Sequence, residues 1–349
     1  MITLGINGFG RIGRLAFRIA IMNHRDEVKI GAINTSGKMN TEGWMHLLKY
    51  DSNYKKFPFN LDFEEIRKPK EVTDDDPLIG YIILEGEKIP VMAQKDPEKL
   101  PWGKYGVEVV IESTGVFLDQ EGASKHFVGG ARKVVLSAPA KADDVPTYVL
   151  GVNKTGTEKV ISNASCTTNC IAPVAKIMLE NFGVQKAMMT TIHSFTDDQR
   201  LTDNSHKDLR RARAAGQNIV PTTTGAASAT GLVVPGMTGK FDGIAIRVPT
   251  PCGSVADFVF LTEKNTTVEE VNKVFENAAN SPEYQGIIEV TRDAIVSSDI
   301  VGETASSVID LEFTQVVGGN LVKVLAWYDN EWGYTNRLVE QAIVAGSIG

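Results

Sequence analysis

The sequence predicts an α/β protein with two domains: a doubly wound parallel sheet first, then an α+β domain on a mixed or antiparallel sheet. Three observations carry this. Up to about residue 165, short apolar runs alternate with amphipathic stretches, the rhythm of strand, crossover helix and strand. Beyond residue 166 the strands are longer and alternate in polarity, as strands with one solvated face do. The length of 349 residues exceeds an ordinary single domain, so two cores are expected. The expected division is 1–165, rejoined by a C-terminal helix in 330–349, and 166–329.

In chain order, Ile2 to Asn7 is a strand, Gly8 to Gly13 a glycine turn and Arg14 to Asn23 a helix. Val28 to Asn34, Val107 to Glu112 and Lys133 to Ser137 are further apolar strands. The region from Phe57 to Pro101 breaks the rhythm and reads as a hairpin-bearing insertion with the acidic run Asp74-Asp75-Asp76. A strand over Lys159 to Ser162 leads to Cys166 and a helix from Cys170 to Leu179. Ala187 to His193, Phe241 to Val248, Ala256 to Thr262 and Leu321 to Tyr328 are the long strands. Between them a helix spans Thr267 to Ala279, with Glu269 and Glu270 in its first turn, and a last helix runs from Thr335 to Ala345.

Composition narrows the function. Apolar residues at 42% and charged residues at 23% are those of a folded globular chain. A net charge of -7 gives no support to a nucleic-acid partner. No stretch reaches the roughly 18 to 20 apolar residues that span a bilayer, and the N-terminal strand is not a signal peptide. Three cysteines argue against a disulfide framework and for a reducing, cytoplasmic compartment. No His, Cys or acid pair has metal-ligand spacing, so no metal is expected.

Gly8, Gly10 and Gly13, between a strand and a helix, match the dinucleotide fingerprint of a Rossmann-type domain. Such a domain usually ends its second strand in an acid that binds the adenosine ribose; here the position is Thr35. A neutral residue does not repel a 2′-phosphate, and Lys38 is near enough along the chain to pair with one. NAD and NADP both remain open, and Lys38 reads equally as a solvated loop lysine.

Cys166, in Ser165-Cys166-Thr167-Thr168-Asn169, stands where a helix begins, so helix dipole and backbone donors are expected to lower its thiol pKa. Cys170 and Cys252 read as structural. His193 ends a strand and is suited to take a proton from a thiol or a hemithioacetal. His24, His46, His126 and His206 read as solvated or capping residues. Thr222 to Gly225 and the guanidinium groups of Arg210, Arg211, Arg213 and Arg247 suit an anion. Lys207 to Arg213 reads also as an exposed charged helix face.

Several long stretches, among them INGFGRIGR from Ile6, SNASCTTNCIAPVAK from Ser162, HSFTDDQ from His193, HKDLRRARAAGQNIVPTTTGAA from His206 and WYDNEWGYTNR from Trp327, resemble the phosphorylating glyceraldehyde-3-phosphate dehydrogenases over nearly the whole chain. The resemblance implies Cys166 as nucleophile and His193 as general base. It implies a substrate-phosphate site at Thr196, Asp198 and Arg247, and an inorganic-phosphate site at Ser165, Thr167, Arg211, Thr224 and Gly225. For the dinucleotide it implies Arg11 and Ile12 at the pyrophosphate, Thr35 at the ribose, Lys95 beside the adenine, Ser113, Thr114 and Ser137 along the cofactor, and Asn330 at the nicotinamide amide. A homotetramer is implied as well. Thr35 in place of an acid, Ser228 in place of a lysine, and a longer stretch between Asp51 and Val91 depart from the family pattern. An erythrose-4-phosphate dehydrogenase and a dinucleotide-binding redox sensor that uses Cys166 are the alternative functions.

Overall fold

The computed structural model describes residues 1–348. Residues 1–148, 155–164 and the chain from Thr335 form one compact unit, and residues 149–154 and 165–334 form the other. Two short segments, 149–154 and 330–334, and the single residue Ser165 therefore fall on the other side of the expected division. Residues 149–154 join the second unit because Lys176 Nζ donates to Gly151 O at 3.2 Å, and a side chain at Gly151 would meet Ile287. Residues 330–334 join it because Asn330 accepts from Ser254 and Asp329 caps the start of the last helix.

In the first unit β1 (Ile2–Asn7), α1 (Arg11–Asn23) and β2 (Val28–Asn34) form the opening βαβ. Then come α2 (Thr41–Lys49), the ribbon β3 (Tyr50–Asp51) and β4 (Lys55–Lys56), and β5 (Leu61–Glu65), β6 (Leu78–Leu84) and β7 (Glu87–Met92). The unit is completed by β8 (Val109–Glu112), α3 (Gln120–Ser124), β9 (Lys133–Leu136) and β10 (Val160–Ser162). The eight-stranded sheet has the order β10-β9-β8-β1-β2-β7-β6-β5. Strands β10 to β7 run parallel, whereas β6 and β5 are antiparallel additions at the edge. The stretch that breaks the sequence rhythm is thus an extension of the sheet itself. Its hairpin turns through Glu85 and Gly86 at φ +49° and +93°, the two left-handed residues a tight two-residue loop requires.

Helix α1 starts three residues earlier than the periodicity suggests, directly after Gly10. It buries Leu15, Phe17, Ile19 and also Arg18. The Arg18 guanidinium is tolerated because it donates to Leu48 O at 2.7 and 3.0 Å and to Lys55 O at 3.1 Å, which ties the 48–55 chain to the helix.

The second unit begins with α4 (Cys166–Phe182), β11 (Val184–Ser194), β12 (Val220–Thr223), α5 (Ala226–Val233) and β13 (Phe241–Val248). It continues with β14 (Ser254–Thr262), α6 (Val268–Ala279), β15 (Ile288–Thr291), β16 (Ser307–Asp310), β17 (Gln315–Val317), β18 (Leu321–Tyr328) and the start of α7 (Trp332–Ser347). Its sheet order is β12-β13-β11-β14-β18-β16-β15, with β17 on β18. The sheet is mixed: β11 with β13 and β15 with β16 are parallel, the other pairs antiparallel. Helix α4 covers one face, burying Ile171, Val174, Ala175 and Met178. Helix α6 opens on Thr267 with a reciprocal capping box to Glu270. Residues 207–213 form turns rather than the helix face that their charge pattern suggests.

Candidate functional site

In the first sheet the chain leaves β1 for β2 on one side and β8 lies on the other, so the strand order reverses between β1 and β8. The crevice beyond the carboxyl ends of two such strands is where doubly wound folds bind ligands. The glycine turn lies there. Gly8 has φ +96°, and a Cβ on it would sit 2.7 Å from the backbone of Ser113 and Thr114. A Cβ on Gly13 would sit 2.1 Å from Gly8 O. Around Gly10 there is open space. Turn, close helix packing and room for an approaching phosphate are the three separate demands a pyrophosphate places on this motif. Arg11 and Ile12 follow as the first helical residues, with backbone N–H groups directed out of the helix end. The Arg11 side chain forms a bidentate pair with Asp51.

Beneath this turn lies a buried polar network that sequence reasoning missed. Glu112 Oε2 accepts from Asn7 Nδ2 at 2.5 Å and from His126 Nε2 at 3.1 Å. The other oxygen accepts from Thr114 N at 2.8 Å. Trp102 Nε1 donates to His126 Nδ1 at 2.9 Å, which leaves the ring proton on Nε2. His126 is therefore a fully buried brace and not the solvated residue expected; only the apolar neighbours Phe127 and Val128 hinted at this. Ser113 Oγ donates to Gly8 O at 2.7 Å, and Ser137 N to Glu112 O at 2.9 Å. Thr35 is buried; its hydroxyl donates to Met92 O at 3.0 Å and accepts from Gly37 N at 3.3 Å. Lys38 and Lys95 are exposed.

Ala164, which ends the 155–164 segment of the first unit, takes φ +56°, rare for a residue with a side chain; the second unit resumes at Ser165, the N-cap of α4, accepting from Thr168 N at 3.0 Å. Cys166 is thus the first helical residue, four residues before the start the sequence suggests. Its Sγ lies 3.4 Å from His193 Nε2. His193 Nδ1 lies 2.7 Å from Ser194 O and 2.9 Å from Arg247 Nη1; in the tautomer that donates from Nδ1 to Ser194 O, Nε2 is the acceptor toward sulfur. Burial pushes the thiol pKa up, and the nearby Arg247 charge only partly offsets this. In the unliganded protein the direction is thus opposite to the one expected from the helix end, because desolvation outweighs the guanidinium and the hydrogen bonds from Thr167. Burial and the same arginine push His193 down to about 3, so the resting pair is neutral thiol and neutral imidazole.

Register sets the anion groups. Arg247 on β13 stands opposite His193 on β11, and its Nη1 donates to Thr196 Oγ1 and Ser194 O, both at 3.1 Å. Its Nε is buried without a partner. Thr196 donates to Asp198, and Asp198 accepts from Arg211 Nη1 at 2.6 Å. Arg211 Nε donates to Thr222 Oγ1 at 2.9 Å. The residues expected at two phosphate sites are therefore linked through Asp198, whose carboxyl both arginines help hold below the usual range. Thr224 and Gly225 lead into α5, with Thr224 Oγ1 accepting from Ala226 N at 3.2 Å, and Ser228 is exposed on that helix. Arg210 and Arg213 lie outside this linkage, Arg213 pairing with Asp203. Asn330 is buried, and its Oδ1 accepts from Ser254 Oγ at 2.9 Å. Cys170 and Cys252 are buried thiols that form no disulfide, and Cys252 Sγ donates to Asp329 Oδ1 at 3.2 Å. Tyr328, beside the reacting pair, was read only as the end of a strand. Among the described residues no cluster of three or more His, Cys, Asp or Glu could hold a metal, and no helix is long and apolar enough to cross a membrane.

A fingerprint turn at the switch point of a doubly wound sheet, joined in one chain to a cysteine-histidine pair on a mixed sheet, defines a nicotinamide-dinucleotide oxidoreductase. Residues 2–120 match the glyceraldehyde 3-phosphate dehydrogenase NAD binding domain, and residues 165–330 match the C-terminal domain of the same family. The chain is 49% identical over 350 residues to a glyceraldehyde-3-phosphate dehydrogenase of Streptomyces coelicolor, covering 99% of each protein. It is 48% identical over 352 residues to that of Geobacillus stearothermophilus, covering 100% of this chain and 99% of the relative. It is also 48% identical to a chloroplastic A form from Chlamydomonas reinhardtii, over 98% of this chain and 88% of that protein. The chain belongs to the glyceraldehyde-3-phosphate dehydrogenase family.

Proposed function

We propose that the protein converts D-glyceraldehyde 3-phosphate, inorganic phosphate and NAD or NADP to 1,3-bisphosphoglycerate and reduced dinucleotide, through a thioester on Cys166. The observation that carries this reading is the 3.4 Å approach of Cys166 Sγ to His193 Nε2, and the reading takes the tautomer in which Nδ1 donates to Ser194 O at 2.7 Å. As sulfur attacks the aldehyde carbon, Nε2 takes the thiol proton and returns it to the carbonyl oxygen, giving a hemithioacetal. Nε2 then takes the hydroxyl proton as that carbon is oxidised to the thioester. When bound, the dinucleotide supplies the hydride acceptor for this oxidation. Inorganic phosphate attacks the thioester carbon, the carbon–sulfur bond breaks, and Cys166 is released with an acyl phosphate.

Arg247, Thr196 and Asp198 hold the phosphate of the substrate; Ser165, Thr167, Arg211, Thr224 and Gly225 hold the attacking one. The unpartnered Arg247 Nε supports an anion at the first position, since a buried guanidinium nitrogen without an acceptor is costly. A phosphate dianion there also offsets the charge that depresses His193, so substrate binding strengthens the base. The open space at Gly10 fits a dinucleotide, with Gly8, Gly13, Arg11 and Ile12 around its pyrophosphate. Thr35 and Lys95 serve its adenosine end, Ser113, Thr114 and Ser137 the bound chain, and the Asn330 amide the nicotinamide.

The test is kcat/KM on glyceraldehyde 3-phosphate with NAD and NADP, each with and without inorganic phosphate. Phosphate-dependent rates with both cofactors support the reading, including the neutral Thr35. Activity with NAD alone removes the dual cofactor use, and a rate indifferent to phosphate favours water as the acyl acceptor, as in an erythrose-4-phosphate dehydrogenase. Cys166→Ser is expected to abolish turnover while dinucleotide binding persists.

A further inference from the structure

Behind the reacting pair, three buried hydroxyls form a line that ends at sulfur. Thr191 Oγ1 on β11 lies 2.8 Å from Tyr328 OH on β18. Tyr328 OH lies 3.0 Å from Thr167 Oγ1, which in turn lies 4.0 Å from Cys166 Sγ. Thr191 is 0% exposed, Tyr328 2% and Thr167 5%, so water does not substitute for any link. The sheet explains the convergence. Tyr328 pairs with Ser254 across β18 and β14, and Thr191 with Ala256 across β14 and β11. The long phenol spans β14, whose residues at this level are the small Ser254 and Ala256, to reach the neighbouring strand.

We propose that Tyr328 is a positioning residue that, through Thr167, directs a hydrogen-bond donor at the Cys166 thiolate. This rests on the reading of Cys166 as the nucleophile. Each hydroxyl has one proton, and among the described residues the Thr191 hydroxyl is bonded to Tyr328 OH. When Thr191 donates to Tyr328 and Tyr328 to Thr167, the Thr167 proton is left to point at sulfur. The opposite run would present lone pairs to sulfur and is disfavoured once sulfur is charged. Each bond polarises the next, so the line donates more strongly than an isolated threonine. The phenol remains a donor throughout, since burial and the neighbouring cysteines raise its pKa. Tyr328 also packs its ring edge-on to His193 at 5.9 Å, which a phenylalanine preserves.

The other titratable or charged groups acting on this sulfur are His193 from β11, Arg247 from β13 and Cys170 from α4. Asp198 acts on it through His193. None of these is removed by Tyr328→Phe or Thr191→Val. The experiment is the pH dependence of Cys166 alkylation by iodoacetamide in the unliganded, full-length protein; Cys170 and Cys252 are buried and do not compete. In Tyr328→Phe the midpoint is expected to move up by roughly one unit, so that the rate near pH 7 falls about tenfold. Thr191→Val should give a smaller shift in the same direction, and it carries the test alone if the tyrosine variant does not fold. Midpoints equal to wild type in folded variants would overturn the proposal, whatever their turnover. Because alkylation needs neither substrate nor dinucleotide, failure of this line and failure of the dehydrogenase reading are told apart.

Discussion

Burial sets the resting protonation of both reacting side chains, and for His193 it has a consequence for stability. Its folded pKa of about 3 lies well below the roughly 6.5 of an unfolded histidine. Below pH 6.5 the unfolded chain therefore binds a proton that the folded one refuses, and stability is lost as pH falls from 6.5 toward 3. His193→Gln removes this term. Denaturant unfolding at pH 7 and pH 4 should show wild type losing on the order of 3 kcal/mol more than the variant over that interval. Equal losses would mean that the ring is protonated in the folded protein. Cys166 and His193 could be named from the chain because each stands at the end of an element, beside polar loop residues. The direction of the thiol shift could not, since desolvation depends on what packs around sulfur. The helix end alone, legible in the sequence, points the other way.

At the scale of elements, the three glycines of the first turn are equivalent letters in a motif but have three different surroundings. Gly10 has open space and an ordinary φ of -73°, so Gly10→Ala should fold and melt like wild type yet bind dinucleotide weakly, its methyl occupying the place of a phosphate. Gly13→Ala should unfold at lower temperature even without ligand, because its Cβ would lie 2.1 Å from Gly8 O. Thermal melts with titration of NAD separate the two, and identical behaviour of the variants would contradict the division of labour. Helix limits differ from expectation mainly at N-termini. Helices α1 and α4 begin at the candidate site residues Arg11 and Cys166, where hydrophobic periodicity has not yet started. For α6 the first-turn acids Glu269 and Glu270 were legible, and the structure makes Glu270 the capping-box partner of Thr267.

At the scale of the whole molecule, the face of the second sheet away from α4 remains open in the single chain. Met188 is 66% exposed beside its register partner Val259, with Ile244 at 48% on the adjoining strand. Leu201, Leu209 and Ile219 are also exposed in the segment between β11 and β12. Apolar side chains gathered on one sheet face mark a surface that another protein covers, and a second copy fits the implied homotetramer. Met188→Glu combined with Ile244→Glu should shift sedimentation of the protein to a smaller species. A wild-type protein that sediments as a monomer would remove the basis for this assembly.

Local chemistry and periodicity were enough to place the strands of the two sheets and the dinucleotide turn, and to single out Cys166 and His193 as candidates. Each depends on neighbours within a few residues, or on a motif whose spacing is itself the geometry. Tertiary packing alone decided the rest. The edge hairpin joins the first sheet because β7 pairs with β2 across more than fifty residues of chain. His126 becomes a brace because Trp102 and Glu112 close over it. Tyr328 reaches Thr167 from 161 residues away. Hydrogen bonds and desolvation act over a few ångströms in space, whatever the distance along the chain, and no local pattern records which distant strands will become neighbours.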